Sequence, residues 1–350
     1  MKYYLKDSFL SNEYEKNAGN KARNDVEAIL ISEGYKGLEL KIENWYKMNF
    51  FKAQQHKYRA IKSVFDQLGS GDELLIQFPI IHHTFFISQL IKQAQNRGVK
   101  FYLVIHDVET LRHVGNSAVK LRHKVRNYFQ EKAALTSVDG IIVHNDIMKN
   151  ALTIQGVPSD KMVSLEIFDY LIPNFEEKNV PQKEEAIIIA GNLIPTKSGY
   201  LYNLPEQPAY NLYGMGYDES RALKNTTYFG SFMPDDLPNA LQGSFGLVWD
   251  GDSSETCKGS FGNYLRINNS HKASLYLASG FPLVVWRESA LAHFVLDKQC
   301  GIAIDSLHDL QKALDDLTDQ DYMELSANAR QVGVAIRSGD YLKSAISKLK

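Results

Sequence analysis

Ser270-His271-Lys272-Ala273-Ser274-Leu275-Tyr276-Leu277-Ala278-Ser279-Gly280-Phe281-Pro282-Leu283-Val284-Val285-Trp286 is the stretch whose reading decides the fold. Ser270 is a residue type that caps a helix start, and Gly280 one that ends a helix with a positive φ. Pro282 cannot continue the helix, and an apolar strand begins at once at Leu283. A short helix running straight into a buried strand is the repeating unit of a parallel α/β sheet. Lys272 falls in the helix's first turn, where free N–H groups and the dipole favour an anion over a cation. A bound phosphate would resolve that conflict. A solvated surface lysine explains it equally well on local grounds.

Outward from this stretch the same alternation recurs. Glu73–Phe78 (ELLIQF), Lys100–Ile105 (KFYLVI), Gly140–His144 (GIIVH), Ala186–Ala190 (AIIIA) and Phe245–Trp249 (FGLVW) read as buried strands. Lys2–Leu5, Met162–Glu166 and Tyr210–Tyr213 add shorter ones. Helical segments lie between them, among them 21–32, 50–68, 84–96, 118–134 and 146–155. Near-continuous apolar strands point to parallel sheets covered on both faces. Residues 171–185 (LIPNFEEKNVPQKEE) carry two prolines and many charges, a linker composition, and the alternation restarts after them. Two Rossmann-like parallel-sheet domains facing a central cleft are therefore expected. They span 1–172 and 173–335, with a last helix at about 336–350 that can return to the first domain. The chain's 350 residues fit two domains.

Composition narrows the function. The formal net charge of −2 gives nucleic-acid binding no support. Two cysteines, Cys257 and Cys300, make neither a disulfide framework nor a metal spacing, and fit a reducing cytoplasm. MKYYLKDSFL lacks the apolar run of a signal peptide, and no run reaches the length of a membrane span. A soluble cytoplasmic protein is expected, with peripheral contact at the inner face of the membrane allowed through its acceptor.

Several motifs each have a plain reading beside a functional one. His106-Asp107-Val108-Glu109 follows a strand's carboxyl end, where open parallel sheets bind ligands. Asp107 or Glu109 can accept a proton and His106 can orient a substrate oxygen. The plain reading has Asp107 capping the next helix. Asp250-Gly251-Asp252 is read as turn chemistry in preference to a metal pair, and no metal is assigned. Gly214-Met215-Gly216 lacks the third glycine of a dinucleotide fingerprint, so no NAD site is assigned, although the glycines permit close backbone approach. Asn17-Ala18-Gly19-Asn20 reads as a loop of the same kind. His82 and His83, adjacent on a strand, point to opposite faces and share no ion. Gln77-Phe78-Pro79 ends a strand at the expected cleft edge. Arg112, His113, Lys120, Arg122, His123, Lys124 and Arg126 form a basic stretch suited to a phosphate-bearing acceptor, or simply to solvent.

Together FGLVWDG and the stretch NNSHKASLYLASGFPLVVW at 268–286 resemble the donor half of the GT-B glycosyltransferases. More narrowly they are similar to bacterial glucosyltransferases that extend O-linked GlcNAc on serine-rich adhesins, and to galactofuranosyltransferases of surface polysaccharide synthesis. NAGNKARNDVEAIL near the N-terminus and FYLVIHDVETLR match the same group, and the resemblance spans about residues 1–335. It implies a UDP-sugar donor, a lipid- or protein-linked glycan acceptor and no essential metal or cofactor. It implies that Ser270, His271, Lys272, Ala273, Ser274 and Leu275 hold the diphosphate. A basic residue after the opening of the second domain maps to Lys197, beyond Gly191-Asn192. An aromatic nucleotide contact maps to Phe232, before Met233-Pro234-Asp235. A backbone contact in the N-terminal loop maps to Ala18 and Gly19. A homo-oligomer is expected. The other reading is a non-catalytic GT-B-like subunit that stabilises or targets an active transferase.

Overall fold

The structure is a computed structural model that describes residues 1–7, 18–41, 47–80, 86–112 and 121–349. Its contacts divide the chain into two compact units. The first holds Arg23–Leu165 with the opening strand and the residues from Leu342 onward; the second holds Glu166–Tyr341 with the helical residues Ala18–Ala22.

In chain order the first unit contains β1 (Lys2–Asp7), α1 (Ala18–Ser32, whose residues up to Ala22 belong to the second unit), β2 (Lys36–Leu40), α2 (Phe50–Phe65), β3 (Glu73–Phe78), α3 (Ile87–Gln95), β4 (Lys100–Ile105), α4 (Glu109–Arg112), α5 (Leu121–Ser137), β5 (Gly140–Val143), α6 (Asp146–Ile154) and β6 (Met162–Ser164). Its strands form a six-stranded sheet, β2-β1-β3-β4-β5-β6, parallel throughout. β3, β4 and β5 are buried almost along their length, which is why they read as unbroken apolar runs.

The second unit contains β7 (Ile187–Asn192), α7 (Pro195–Ser198), β8 (Tyr210–Met215), β9 (Thr226–Tyr228), α8 (Leu237–Ala240), β10 (Gly246–Val248), α9 (Gly259–Tyr264), α10 (His271–Ala278), β11 (Leu283–Trp286), α11 (Ala290–Asp297), β12 (Gly301–Ile304), α12 (Leu310–Asp315) and α13 (Asp319–Ser338); α14 (Asp340–Lys348) closes the chain. The sheet order is β12-β11-β10-β7-β8-β9, again all parallel. Counted from β7 this is the doubly wound order 3-2-1-4-5-6. Its direction of winding reverses between β7 and β10, the place where such sheets bind ligands. The two parallel sheets with their helices agree with the expected pair of Rossmann-like layers.

Two expectations need correction, and three strands were not anticipated. Residues 171–185 do not act as a free linker. Ile172 is 8 % exposed within the second unit's core, and Lys178 Nζ donates to the carbonyls of Pro238 and Leu241. Ala18 and Gly19 open α1 and do not belong to a loop. The buried Lys21 anchors that turn by donating to Leu171 O at 2.7 Å, a tertiary bond that local composition does not reveal. Strands β2, β9 and β12 carry no strand signal in the sequence, and all three are sheet edges. Asn17, His82, His83, His113 and Lys120 lie outside the described residues.

Candidate functional site

The second unit's site is built around the start of α10. Tyr276 sets the helix in place. Its ring covers Gly246 of β10, where any side chain would clash at 2.1 Å, and its hydroxyl oxygen accepts from Ala190 N of β7 at 2.7 Å. One side chain therefore ties α10 to both strands flanking the switch point. Lys272, one turn earlier on the same face, is carried to their carboxyl ends.

There Lys272 Nζ donates to Asp250 Oδ1 at 2.8 Å and to Trp249 O at 3.0 Å. Both charged side chains are about nine-tenths shielded, at 10 % and 9 % exposure. Gly191 at the end of β7 has φ +127°, and a Cβ there would lie 3.4 Å from Lys272 Cε. Asp250 was weighed in the sequence only as turn or metal ligand; its role as the partner of Lys272 appears only in the fold. Lysine has three N–H donors, and these two bonds use two of them.

Ser270 occupies the N-cap position with extended backbone, but its side chain makes no capping hydrogen bond. The expected side-chain cap is thus absent. Ala273 N already donates to Ser270 O at 3.0 Å, so the first-turn amides that can meet an anion are those of His271 and Lys272. Ala273 and Ser274 are buried in the next turn and Leu275 is in the core. His271 packs its ring on Phe168, with centroids 5.0 Å apart, and near Tyr170 at 6.1 Å. Both of its ring nitrogens are shielded and have no hydrogen-bond partner among the described residues, and Ser274 Oγ on the same face is in the same condition. Burial, with the Lys21 charge in second place, holds the imidazole pKa down to about 4. The ring is neutral at pH 7.

Lys197 reaches this place through backbone. It lies in α7, and its carbonyl accepts from Gly251 N at 2.9 Å, beside Asp250. Its ammonium stands 5.6 Å from the Phe261 ring. Asn192 closes the turn before α7. Its Oδ1 accepts from Ile194 N and its carbonyl from Ser198 Oγ. Gly214 and Gly216 serve packing between β7 and β8. A Cβ on Gly214 would meet Gly191 O at 1.7 Å, and one on Gly216 would meet Ile194 Cγ2 at 2.4 Å. The close approach they permit is to their own sheet.

Phe232 is half-buried against Tyr213, whose ring also stacks on Phe229 at 4.9 Å. The segment after it is held by two bonds. Tyr170 donates to Pro234 O at 2.7 Å, and Lys21 pairs with Asp235 at 2.7 Å. Lys21 also stands 5.0 Å from the Tyr170 ring centroid. The α1 turn carrying Ala18 and Gly19 is thereby fastened to the segment carrying Phe232. Lys21 was not singled out in the sequence. Its neighbours in NAGNKAR were, and a lone lysine among small residues was the available signal.

In the first unit, His106, Asp107 and Glu109 follow β4. His106 Nε2 lies 2.7 Å from Gln77 Oε1, which joins the carboxyl ends of β3 and β4. Asp107 pairs with Arg112 at 3.5 Å, with both side chains one-third exposed. The carboxylate that accepts the opening N–H groups of α4 is Glu131, from Glu109 N at 2.8 Å and Thr110 N at 3.0 Å. The reading of Asp107 as that cap is corrected. Glu131 comes from α5, just beyond the basic stretch, and burial raises its pKa above the usual carboxylate value.

Comparison with known proteins identifies the family and the fold. Residues 3–167 match the model for the N-terminal domain of glucosyltransferase 3-like proteins, and residues 187–349 match that for their C-terminal domain. The chain is 32% identical over 359 residues to the beta-1,6-galactofuranosyltransferase WbbI of Escherichia coli (strain K12), covering 99% of this chain and 98% of that one. It is 23% identical over 326 residues to glucosyltransferase 3 of Streptococcus gordonii, covering 93% and 92%. Among solved structures, the sucrose-phosphate synthase of Thermosynechococcus elongatus superposes with a TM-score of 0.64 at 13% identity, covering 98% of this chain and 96% of that one. WaaG, a glycosyltransferase of lipopolysaccharide biosynthesis, gives 0.58 at 13% identity over 99% and 98%. These likenesses establish the GT-B fold.

Proposed function

Because the chain belongs to the glucosyltransferase 3-like family and is a glycosyltransferase of GT-B fold, we propose that it moves a hexose, galactofuranose or glucose, from a UDP-sugar to a glycan acceptor in surface polysaccharide or glycoprotein synthesis. The observation that carries the donor side is Lys272 at the switch point, bonded to Asp250 and lying against Gly191.

In this reading the diphosphate lies at the uncapped start of α10. The third N–H of Lys272, the ammonium of Lys197 and the first-turn amides of α10 stabilise the leaving UDP as its charge develops. Phe232 offers its ring to the nucleotide, and Ala18, Gly19 and Asn192 contribute backbone or turn contacts. His271 and Ser274 carry polar atoms that a bound donor can pair. The reaction needs no essential metal. The acceptor hydroxyl is placed by the first unit, with His106, Asp107 or Glu109 taking its proton. Domain limits of 1–172 and 173–335, action in the cytoplasm at the inner face of the membrane, and a homo-oligomeric assembly complete the proposal.

A thermal-shift panel tests it, with UDP-glucose, UDP-galactose, UDP-galactofuranose, UDP-GlcNAc and GDP-mannose. A ligand at about 100 times its Kd stabilises by roughly 2.7 kcal/mol. A shift with one of the UDP-hexoses is expected. Preference for GDP-mannose would overturn the uridine assignment, and no shift with any donor would overturn the donor site.

A further inference from the structure

The first unit carries a second feature that the transfer chemistry does not use. Residues 47–65 (KMNFFKAQQHKYRAIKSVF) hold five Lys or Arg and no acid, and residues 110–130 repeat that balance, in a chain whose formal net charge is −2. The two stretches supply α2 and the start of α5, and α3 packs on both helices. On α2 Lys52 and Arg59 stand exposed, whereas Lys57 is buried and Lys62 pairs with Asp66.

That layer also exposes large apolar side chains. Phe51 is 84 % exposed and Phe50 56 %, at the opening of α2 just after its Asn49 cap. Phe86, 37 % exposed at the start of α3, packs on Tyr58 with ring centroids 5.5 Å apart. Phe129 on α5 is 65 % exposed. Phe51 and Tyr58 are seven residues apart and share a face of α2, and Phe86 extends the strip they make. Lys52 and Arg59, both exposed and also seven apart, form a cationic strip directly beside it. α2 leads from β2 back to β3 in a parallel sheet, so its exposed start lies at the carboxyl edge.

We propose that this face, from Phe50 and Phe51 along α2 to Phe86, docks on the surface of an anionic lipid bilayer. Phenylalanine rings beside lysine and arginine are the composition that lies in a headgroup region, with rings in the acyl boundary and cations at lipid phosphates. Each cation near an anionic surface strengthens partitioning about fivefold. A polynucleotide would account for the cations, but it gives no reason to expose four phenylalanines on one helical layer. No helix among the described residues is long and apolar enough to cross a membrane, so contact is at the surface. The inference is independent of the donor-site reading.

Flotation of the full chain with vesicles tests it, using phosphatidylcholine alone and phosphatidylcholine mixed with phosphatidylglycerol. The wild type should bind the mixed vesicles, weakly or not at all the neutral ones, and less as salt rises. Phe50→Ser with Phe51→Ser should lower the partition coefficient at least about tenfold, and Lys52→Glu with Arg59→Glu by a similar factor. UDP affinity and melting temperature serve as controls that should not move. If the phenylalanine pair disturbs α2, the charge pair decides. No binding to mixed vesicles, equal binding by wild type and charge variant, or tighter binding to single-stranded RNA than to vesicles would each overturn the proposal.

Discussion

Lys272 Nζ stands 2.8 Å from Asp250 Oδ1, an ion pair nine-tenths shielded at the point where the second sheet reverses its winding. The pair explains how a lysine tolerates the positive end of a helix without a ligand. Asp250 supplies the compensating charge, and Trp249 O supplies a second acceptor. A diphosphate bound here, as proposed, would find the cation already ordered.

Removing one partner of a shielded pair leaves the other uncompensated, at a cost of about 3–5 kcal/mol. Lys272→Met should lower stability by that order and abolish UDP binding. Adding Asp250→Asn should return most of the stability and none of the binding. Chemical denaturation with calorimetry separates the two effects. UDP binding by the double variant at wild-type affinity would remove Lys272 from the donor site.

His271 should make stability depend on pH. Its pKa is held down to about 4 in the fold, mainly by burial, against an ordinary value of 6.5. The unfolded chain therefore binds the proton more readily. The contribution is fully present above about pH 6.5, and stability falls as the pH drops toward 4. At most about 3 kcal/mol is involved, from 1.36 kcal/mol per pH unit. His271→Phe should flatten the melting temperature between pH 7 and 4.5 relative to wild type. An unchanged pH profile in that variant would show that the ring titrates normally.

Gly214 should tolerate no side chain. It has φ +143°, and a Cβ would lie 1.7 Å from Gly191 O, its register partner on β7. Gly214→Ala should destabilise by about 3 kcal/mol or more, through strain and forced strand separation. Gly71→Ala, at φ +80° with open space around it, should cost only about 1–2 kcal/mol. Denaturation midpoints of the two variants give the contrast.

Glu131 should act on the acceptor side by holding the segment after β4. Its carboxylate accepts from Glu109 N and Thr110 N, so Glu131→Ala leaves two amides unpaired at about 1–3 kcal/mol each. With His106, Asp107 or Glu109 as the base, kcat should drop while donor affinity holds. Glu131→Gln, which keeps one acceptor oxygen, should recover part of the rate. A change confined to the KM for donor would place Glu131 elsewhere in the function.

The buried strands were legible because each is covered on both faces and must be apolar along its length. ELLIQF, KFYLVI, GIIV and LVVW satisfy that condition. KGLEL, TTY and GIAI did not announce themselves as β2, β9 and β12. Each is an edge strand with one neighbour, and β2 and β9 leave much of their surface exposed, so little selects for an apolar run. Helix ends were legible where a glycine with positive φ was required, as at Gly280 after α10.

By itself the sequence determined the parallel α/β class, the restart of the pattern in a second half, and Lys272 as an anion-site candidate. These depend on periodicity and helix-end chemistry, which are local. Only the tertiary structure decided what Lys272 touches. Asp250 lies 22 residues away in the chain, and Tyr276 spans β7 and β10 to bring the two together. In the same way Glu131 replaced Asp107 as the acceptor for α4, and Lys21 bound Asp235 across more than two hundred residues. Charge pairing in a folded interior is set by which strands are neighbours. Strand order leaves no mark on local composition.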